Sequence, residues 1–400
     1  MTATDRDDVV LVLNSGSSSV KFALLAPDRG ERLLDGLADK VGQPGTVLRI
    51  RRENRDPEQE HLGDGSFPAV MSRILAQLDA EGDLAGAGHR IVHGGEKFTG
   101  SALVDDDVIA AIRSFIPLAP LHNPAGLAGI QAVHAARPGL PQVAVFDTAF
   151  HQTMPPAAYR YAVPGEWYTR FGVRRYGFHG TSYRYVTQQA ARLLGRPTRG
   201  LHLVAAHLGN GCSAVAVRDG VSVDTTMGLT PMEGLVMGTR SGDVDPGMFA
   251  YLAAQAGQGV QQLNDTLDTR SGLLSLSGQS NDMREIQDAA AGGDEAAQLA
   301  FDVFVHRLAK AIAALVTSLD RLDALIFTGG IGENSAPVRS HVLARLGFLG
   351  LTEDAEANAA HGRQTDGRIS QPGPVQALVI PTDEELMIAR DTARLITSRS

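Results

Sequence analysis

The chain has 400 residues, 43% of them hydrophobic and 20% charged, which is enough to bury two cores and excludes a disordered polypeptide. Lys and Arg total 36 against 45 Asp and Glu, and the net charge of −9 argues against nucleic acid or an anionic membrane as partner, though not against a small anion held by local cations. Cys212 is the only cysteine, so no intrachain disulfide forms; with a polar start (MTATDRDD) and no apolar run long enough for a signal core or a span, the expectation is a cytoplasmic protein.

In chain order, Val9 to Leu13 predicts a strand, Asn14 to Ser19 a polar turn and Val20 to Leu25 a second strand, together a hairpin. Residues 51–66 (RRENRDPEQEHLGDGS) read as a polar loop, and Pro68 to Leu78 has the spacing of an amphipathic helix. About 195 residues beyond the first hairpin the design recurs: Leu201 to Leu208 is strand-like, Gly209 to Ser213 a turn, and Ala214 to Arg218 strand again. Phe301 to Leu319 predicts a long helix, and Ala324 to Phe327 a buried strand leading into a third glycine-rich loop, Thr328 to Asn334, at a helix start. Two related openings suggest a duplicated two-domain α/β chain with a cleft between its domains.

A loop binds phosphate when backbone N–H groups converge, which calls for glycine and small polar residues. Asn14 to Ser19 (NSGSSS, with Lys21 just beyond) and His207 to Gly211 (HLGNG) have that chemistry, and three such loops favour a nucleotide over three exposed turns. No G-x-x-x-x-G-K-[ST] occurs, which excludes a Walker loop. Gly209-x-Gly211-x-x-Ala214 matches the dinucleotide fingerprint, but that motif opens a helix and residues 213–218 (SAVAVR) read as strand. His89 and His93 lack an HExxH setting and read as structural, Cys212 as a small packed residue, and Trp167 gives no sign of a cofactor box.

The motifs NSGSSSVKF (14–22), HRIVHGG (89–95), FDTAFHQTMP (146–155), YGFHGTS (176–182), HLGNG (207–211), TPMEGLVMGTRSGDVDPG (230–247), SNDMREI (280–286), FTGGIGENS (327–335) and PTDEELMIA (381–389) follow one another along nearly the whole chain. In this order they resemble the acetate kinase family, within the actin, sugar-kinase and chaperone-ATPase superfamily. The resemblance implies two duplicated actin-like ATPase (ribonuclease H-like) domains around a nucleotide cleft: 1–150 plus 386–400 on the acetate and metal side, 151–385 on the ATP side. Gly126, Tyr183 and Cys212 stand where the family more often has Asn, His and Ala.

The implied reaction is reversible, magnesium-dependent transfer of the γ-phosphoryl of ATP to acetate, with Mn2+ as a substitute metal, a homodimeric enzyme, and propionate or another short-chain carboxylate as the alternative acceptor. By resemblance, Asp147, His179 and Arg240 are catalytic. Arg90 holds the substrate carboxylate, with Val92, Leu121, Phe178 and Pro231 as an apolar wall. Lys21, His207, Leu208, Gly209, Asn210, Gly211, Asp282, Met283, Arg284, Gly330, Ile331, Gly332, Glu333 and Asn334 hold the nucleotide, and Asn14 and Glu384 the metal. Acetate has already lost its proton near pH 7, so Asp147 is expected to orient metal and arginines rather than to act as a base. A sugar or alcohol kinase, which needs an aspartate base, and a nucleotide-switched binding protein are the competing classes; the Arg90, His179 and Arg240 set favours an anionic acceptor over both.

Overall fold

The computed structural model describes residues 9–16, 18–53, 55–78 and 84–398. Ser17, inside the expected first turn, and the polar N-terminal extension lie outside the described residues.

The chain divides into two compact units, the first taking in residues up to Phe150 together with the segment from Asp383 onward, the second running from His151 to Thr382. The return to the first unit comes three residues before the expected 386, so Glu384 belongs with the N-terminal part.

In the first unit β1 (Val9–Ser15), β2 (Ser19–Ala26), β3 (Glu31–Asp39), β4 (Val47–Arg52), β5 (Glu58–His61), β6 (Leu84–Ile91), β7 (Ala102–Leu103) and β8 (Gln142–Phe146) form one sheet in the order β5-β4-β3-β2-β1-β6-β8-β7. The β1–β2–β3 meander is antiparallel, whereas β6 lies parallel to β1 and β8 parallel to β6. Strand β1 is covered on both faces, which is why VVLVL is a continuous apolar run rather than an alternating one. The helix Phe67–Leu78 packs Val70, Met71, Ile74, Leu75 and Leu78 into the core beneath β1 to β4.

The C-terminal helix Glu384–Thr397 lies directly on β6 because that strand carries Gly86 and Gly88. A Cβ at Gly86 would come within 2.2 Å of Ile396, and one at Gly88 within 2.4 Å of Thr392, so any side chain there would push the helix off.

In the second unit β9 (His202–Leu208), β10 (Cys212–Arg218), β11 (Val221–Thr225), β12 (Ala324–Thr328) and β13 (Gln376–Val379) form a sheet in the order β11-β10-β9-β12-β13. Three antiparallel strands are again followed by two parallel ones. The five central strands of each unit therefore repeat one order and one set of directions, the ribonuclease H-like arrangement, and the fold is duplicated.

Four sequence expectations need correction. Asn14 and Ser15 belong to β1, not to the turn: Asn14 pairs across the hairpin with Lys21. Likewise Cys212 and Ser213 open β10, and Ser213 pairs with His207. The supposed loop 51–66 contains the end of β4 and all of β5, whose residues EQEH show no apolar alternation because the strand is a charged sheet edge, bonded to β4 and tied by Glu60 to Arg73. The long helix spans Glu295–Val316, beginning earlier than expected because Asp294 caps it by accepting from the Ala296 and Ala297 amides.

Candidate active site

The first unit gathers its charged site residues at the C-terminal ends of β6 and β8 and at the start of the C-terminal helix, beside Asn14 on β1. Register places Arg90 beside Val145, one residue short of the Ile91–Phe146 pair, and the Asp147 amide then donates to Ile91 O at 3.0 Å. This brings the two side chains together. Arg90 Nε donates to both Asp147 oxygens (3.1 and 3.2 Å), Nη2 donates to Oδ2 at 2.6 Å, and Nη1 reaches Asn14 Oδ1 at 3.4 Å.

Glu384 starts the C-terminal helix, with a carboxylate oxygen 3.9 Å from Arg90 Nε. Burial works against charge on Arg90, but Asp147 and Glu384 outweigh it and hold the guanidinium above its ordinary pKa. Burial also raises the Glu384 pKa, and Asp147 adds to that while Arg90 opposes it.

Sequence reasoning missed the brace on this helix. Asp383 caps it by accepting from the Leu386 amide at 3.0 Å, and Arg32 on β3 bonds both Asp383 and Glu385, the two neighbours of Glu384. Asp383, directly before a helix start, carries a capping signal; the Arg32 contact spans more than 350 positions and carries none. Lys21 is exposed opposite Asn14. Val92 is half-buried, and Leu121, expected in an apolar wall, is 59% exposed.

The second unit builds its site from glycine backbone, histidines and the Arg240–Asp268 and Arg284–Asp282 ion pairs. The turn Gly209–Gly211 joins β9 to β10, with the Gly209 amide bonded to Gly211 O at 3.1 Å. A Cβ at Gly211 would lie 3.7 Å from His179 Nε2 and 3.8 Å from Arg240 Nη1, so both groups face the space over this glycine. Arg240 is aimed by Asp268, which accepts from Nε at 2.7 Å, and by Pro231 O, which accepts from Nη1 at 3.2 Å.

His179 adopts φ 58° just before the helix Gly180–Leu193, and its ring stacks on that of His207 with centroids 4.3 Å apart. His151, from FDTAFH, is buried: it bonds Phe178 O through Nε2 and Ser222 Oγ through Nδ1, both at 2.9 Å, and burial lowers its pKa to about 4. It thereby fixes the backbone of buried Phe178, next to His179. Sequence reasoning placed His151 in a motif but assigned it no role.

Thirteen of the expected nucleotide residues come from three separate segments, and eight of these line one cavity of about 510 Å³: Gly209, Asn210, Asp282, Met283, Arg284, Gly330, Ile331 and Asn334, with Asn281 and Ser335 added by the structure. Among the other five, Glu333 turns inward, its carboxylate accepting from the Gly329 and Thr382 amides at 2.9 and 3.1 Å. Leu208 is core and Gly332 is buried behind the segment.

The expected glycine loop is itself a short helix, Gly329–Asn334. It can begin directly at the end of β12 because Gly329, at φ 75°, lets the backbone pass within 2.8 Å of Leu208 O, measured from where a Cβ would stand. Strand β10 confirms that the Gly209-x-Gly211 pattern opens no dinucleotide helix. His89 bonds Gln142 at 2.7 Å and His93 accepts from the Gly95 amide at 3.1 Å, both buried and structural. Cys212 donates to Gly209 O, and burial pushes its thiol up to about 12.

The sequence profile of the acetokinase family matches residues 9–390. The chain is 55% identical over 392 residues to acetate kinase of Deinococcus radiodurans, covering 97% of this chain and 98% of that one. It is 51% identical over 389 residues to acetate kinase of Chromobacterium violaceum, covering 96% and 98%.

Among solved structures, propionate kinase from Francisella tularensis superposes with a TM-score of 0.92 at 44% identity over 97% of this chain and 99% of that one. Porphyromonas gingivalis acetate kinase gives 0.91 at 42% over 97% and 100%. With family motifs, paired folds and full-length identity in agreement, the chain belongs to the acetokinase family.

Proposed function

We propose that this enzyme transfers the γ-phosphoryl group of ATP reversibly to acetate, forming acetyl phosphate and ADP by direct in-line displacement. The observation that carries the reading is the Arg90–Asp147 pair: a guanidinium held along its Nε–Nη2 edge by a buried carboxylate, with its own side chain still 23% exposed. Such a group is fixed in position yet open to a second carboxylate, that of the acceptor.

Acetate is ionised at neutral pH, so an acetate oxygen attacks phosphorus, the bond to the β,γ-bridging oxygen breaks, and no proton moves. Asp147 therefore works by aiming Arg90. At about 4 Å and an effective dielectric near 20, each unit charge pair is worth roughly 4 kcal/mol, so the barrier between two anions is set by the cations around them. Arg240 and His179 supply donors for the phosphoryl oxygens. The cavity lined by Asn210, Asp282 to Arg284, Gly330, Ile331 and Asn334 receives the adenosine end.

Asn14 and Glu384 provide a hard amide and carboxylate oxygen, the donor type magnesium takes when it also binds phosphate and water. Among the described residues no group of three or more Asp, Glu, His and Cys side chains is placed to hold a metal ion by itself. Magnesium or manganese there would neutralise phosphate charge.

Val92, Leu121, Phe178 and Pro231 are the proposed contacts for the methyl group. One methylene is worth only about 1–3 kcal/mol in an apolar pocket, so propionate is accepted less well rather than refused. The likeness to a propionate kinase keeps that acceptor in the reading.

We place the enzyme in the cytoplasm as a homodimer. No described helix is long and apolar enough to cross a membrane. The helix Gly247–Ala256 (GMFAYLAAQA) has no buried residue, which supports a second copy as its cover. Sedimentation at micromolar concentration tests this, and a monomer would remove it. For the reaction, protein with magnesium, ATP and acetate is trapped with hydroxylamine: acetohydroxamate is expected, and no hydroxamate from acetate, propionate or butyrate would sink the proposal.

A further inference from the structure

Ser213 Oγ stands at a branch point in the second unit. It lies 2.8 Å from His179 Nδ1 and within hydrogen-bond reach of the Tyr183 hydroxyl, and both Ser213 and Tyr183 are wholly buried. Tyr183 is one turn beyond His179 on the helix Gly180–Leu193, its ring edge-on to the imidazole at 6.5 Å.

A serine hydroxyl has one proton to give, so the neighbour that donates to it decides where that proton goes. A phenol, with a pKa near 10, is a stronger donor than an aliphatic alcohol. The order that follows is Tyr183 O–H to Ser213 Oγ, then Ser213 O–H to His179 Nδ1. A neutral imidazole that accepts at Nδ1 carries its proton on Nε2.

Nε2 is the nitrogen that faces the space over Gly211 beside Arg240. The stacked ring of His207, itself bonded through Nδ1 to Ser182 Oγ at 2.8 Å, holds the imidazole plane. We propose that Tyr183 and Ser213 are positioning residues that keep His179 in its Nε2–H tautomer, so that His179 donates together with Arg240 to an oxygen of the transferring phosphoryl group. The inference rests on reading His179 as a donor to that group. The opposite order, Ser213 donating to Tyr183 and accepting from Nδ1–H, would turn a bare Nε2 lone pair toward the incoming anion and repel it.

The test uses the full-length enzyme with 15N-labelled histidine, the His179 signals being identified by their loss in His179→Ala. Long-range 15N–1H spectra at pH 8 are expected to show a bare Nδ1 and a protonated Nε2 in the wild type, and a mixture of tautomers in Tyr183→Phe. In Tyr183→Phe, kcat is expected to fall about tenfold with the KM values for acetate and ATP within about twofold of wild type, and to fall no further when the change is made in His179→Ala. Ser213→Ala should give the same mixture, and serves if Tyr183→Phe fails to fold.

Nδ1–H in the wild type, or an unchanged tautomer in both variants, overturns the relay, and so does a mixed tautomer with unchanged kcat. Undiminished kcat in His179→Ala would instead remove the donor reading, leaving the spectra to judge the relay separately.

Discussion

The two hairpins that open the two sheets occupy equivalent places in equivalent folds, yet they are armed differently. In the first, the pair before the last rung is Asn14 opposite Lys21; in the second it is His207 opposite Ser213. The first unit goes on to concentrate full charges, with Arg90 at the end of β6, Asp147 just past β8 and Glu384 at the start of the C-terminal helix. The second offers glycine backbone, stacked imidazoles and, beside Gly211, one arginine aimed by an aspartate, with the exposed Arg284–Asp282 pair at its cavity. The difference teaches that the shared scaffold supplies positions, while the chemistry depends on whether those positions bear ions or neutral donors.

The largest expected effects test this contrast through its two arginines. Arg90→Ala should lower kcat/KM for acetate on the order of a thousandfold and also destabilise the first unit by about 3–5 kcal/mol, because Asp147 is left charged and buried without its partner. Arg240→Ala should cost a similar factor in kcat but only about 1 kcal/mol in stability, since Asp268 is exposed enough to be hydrated. Steady-state kinetics with urea unfolding would decide; equal destabilisation by both would erase the distinction.

Acid should act on both units through buried neutral histidines. Burial lowers His89 in the first and His151 in the second from 6.5 to about 4. The unfolded chain therefore binds protons that the folded one refuses, and the stability present above about pH 6.5 is lost as pH falls toward 4. By pH 5 each histidine should cost about 2 kcal/mol. The urea midpoint is expected to drop between pH 7 and 5, and His89→Gln should flatten the part that belongs to the first unit.

Glycines sharpen the comparison at smaller scale. Gly211→Ala would fill the space faced by His179 and Arg240 and should raise KM for ATP about tenfold. Gly16→Ala in the first hairpin would meet, among the described residues, only Ser19, at 3.3 Å, and should change kinetics less than about twofold. Smallest of all, Leu121→Ala should shift the acetate-to-propionate preference by less than about threefold, because that side chain is 59% exposed. Competition between the two acids would measure it.

Much of this was legible in the letters because apolar runs and turn residues act locally. Both hairpins, β12 and the helix Phe67–Leu78 follow from such patterns. The edge strand β5 did not, since a polar strand bonded on one side looks like a loop. Nor did the Arg32 brace, or the inward turn of Glu333, whose carboxylate serves a strand end and a helix start brought together only by folding. Tyr183 was visible as a departure from family pattern, but its bond to Ser213 crosses thirty positions and needs the sheet to exist first.

The division of labour between the units is most directly tested by titrating Arg90→Gln calorimetrically with ADP, without added magnesium, alongside its acetate kinetics. If the first unit holds the acceptor and the second the nucleotide, ADP affinity stays within about twofold of wild type while kcat/KM for acetate falls on the order of a thousandfold. A folded Arg90→Gln enzyme that lost ADP affinity tenfold or more, or kept its acetate kinetics, would contradict the account.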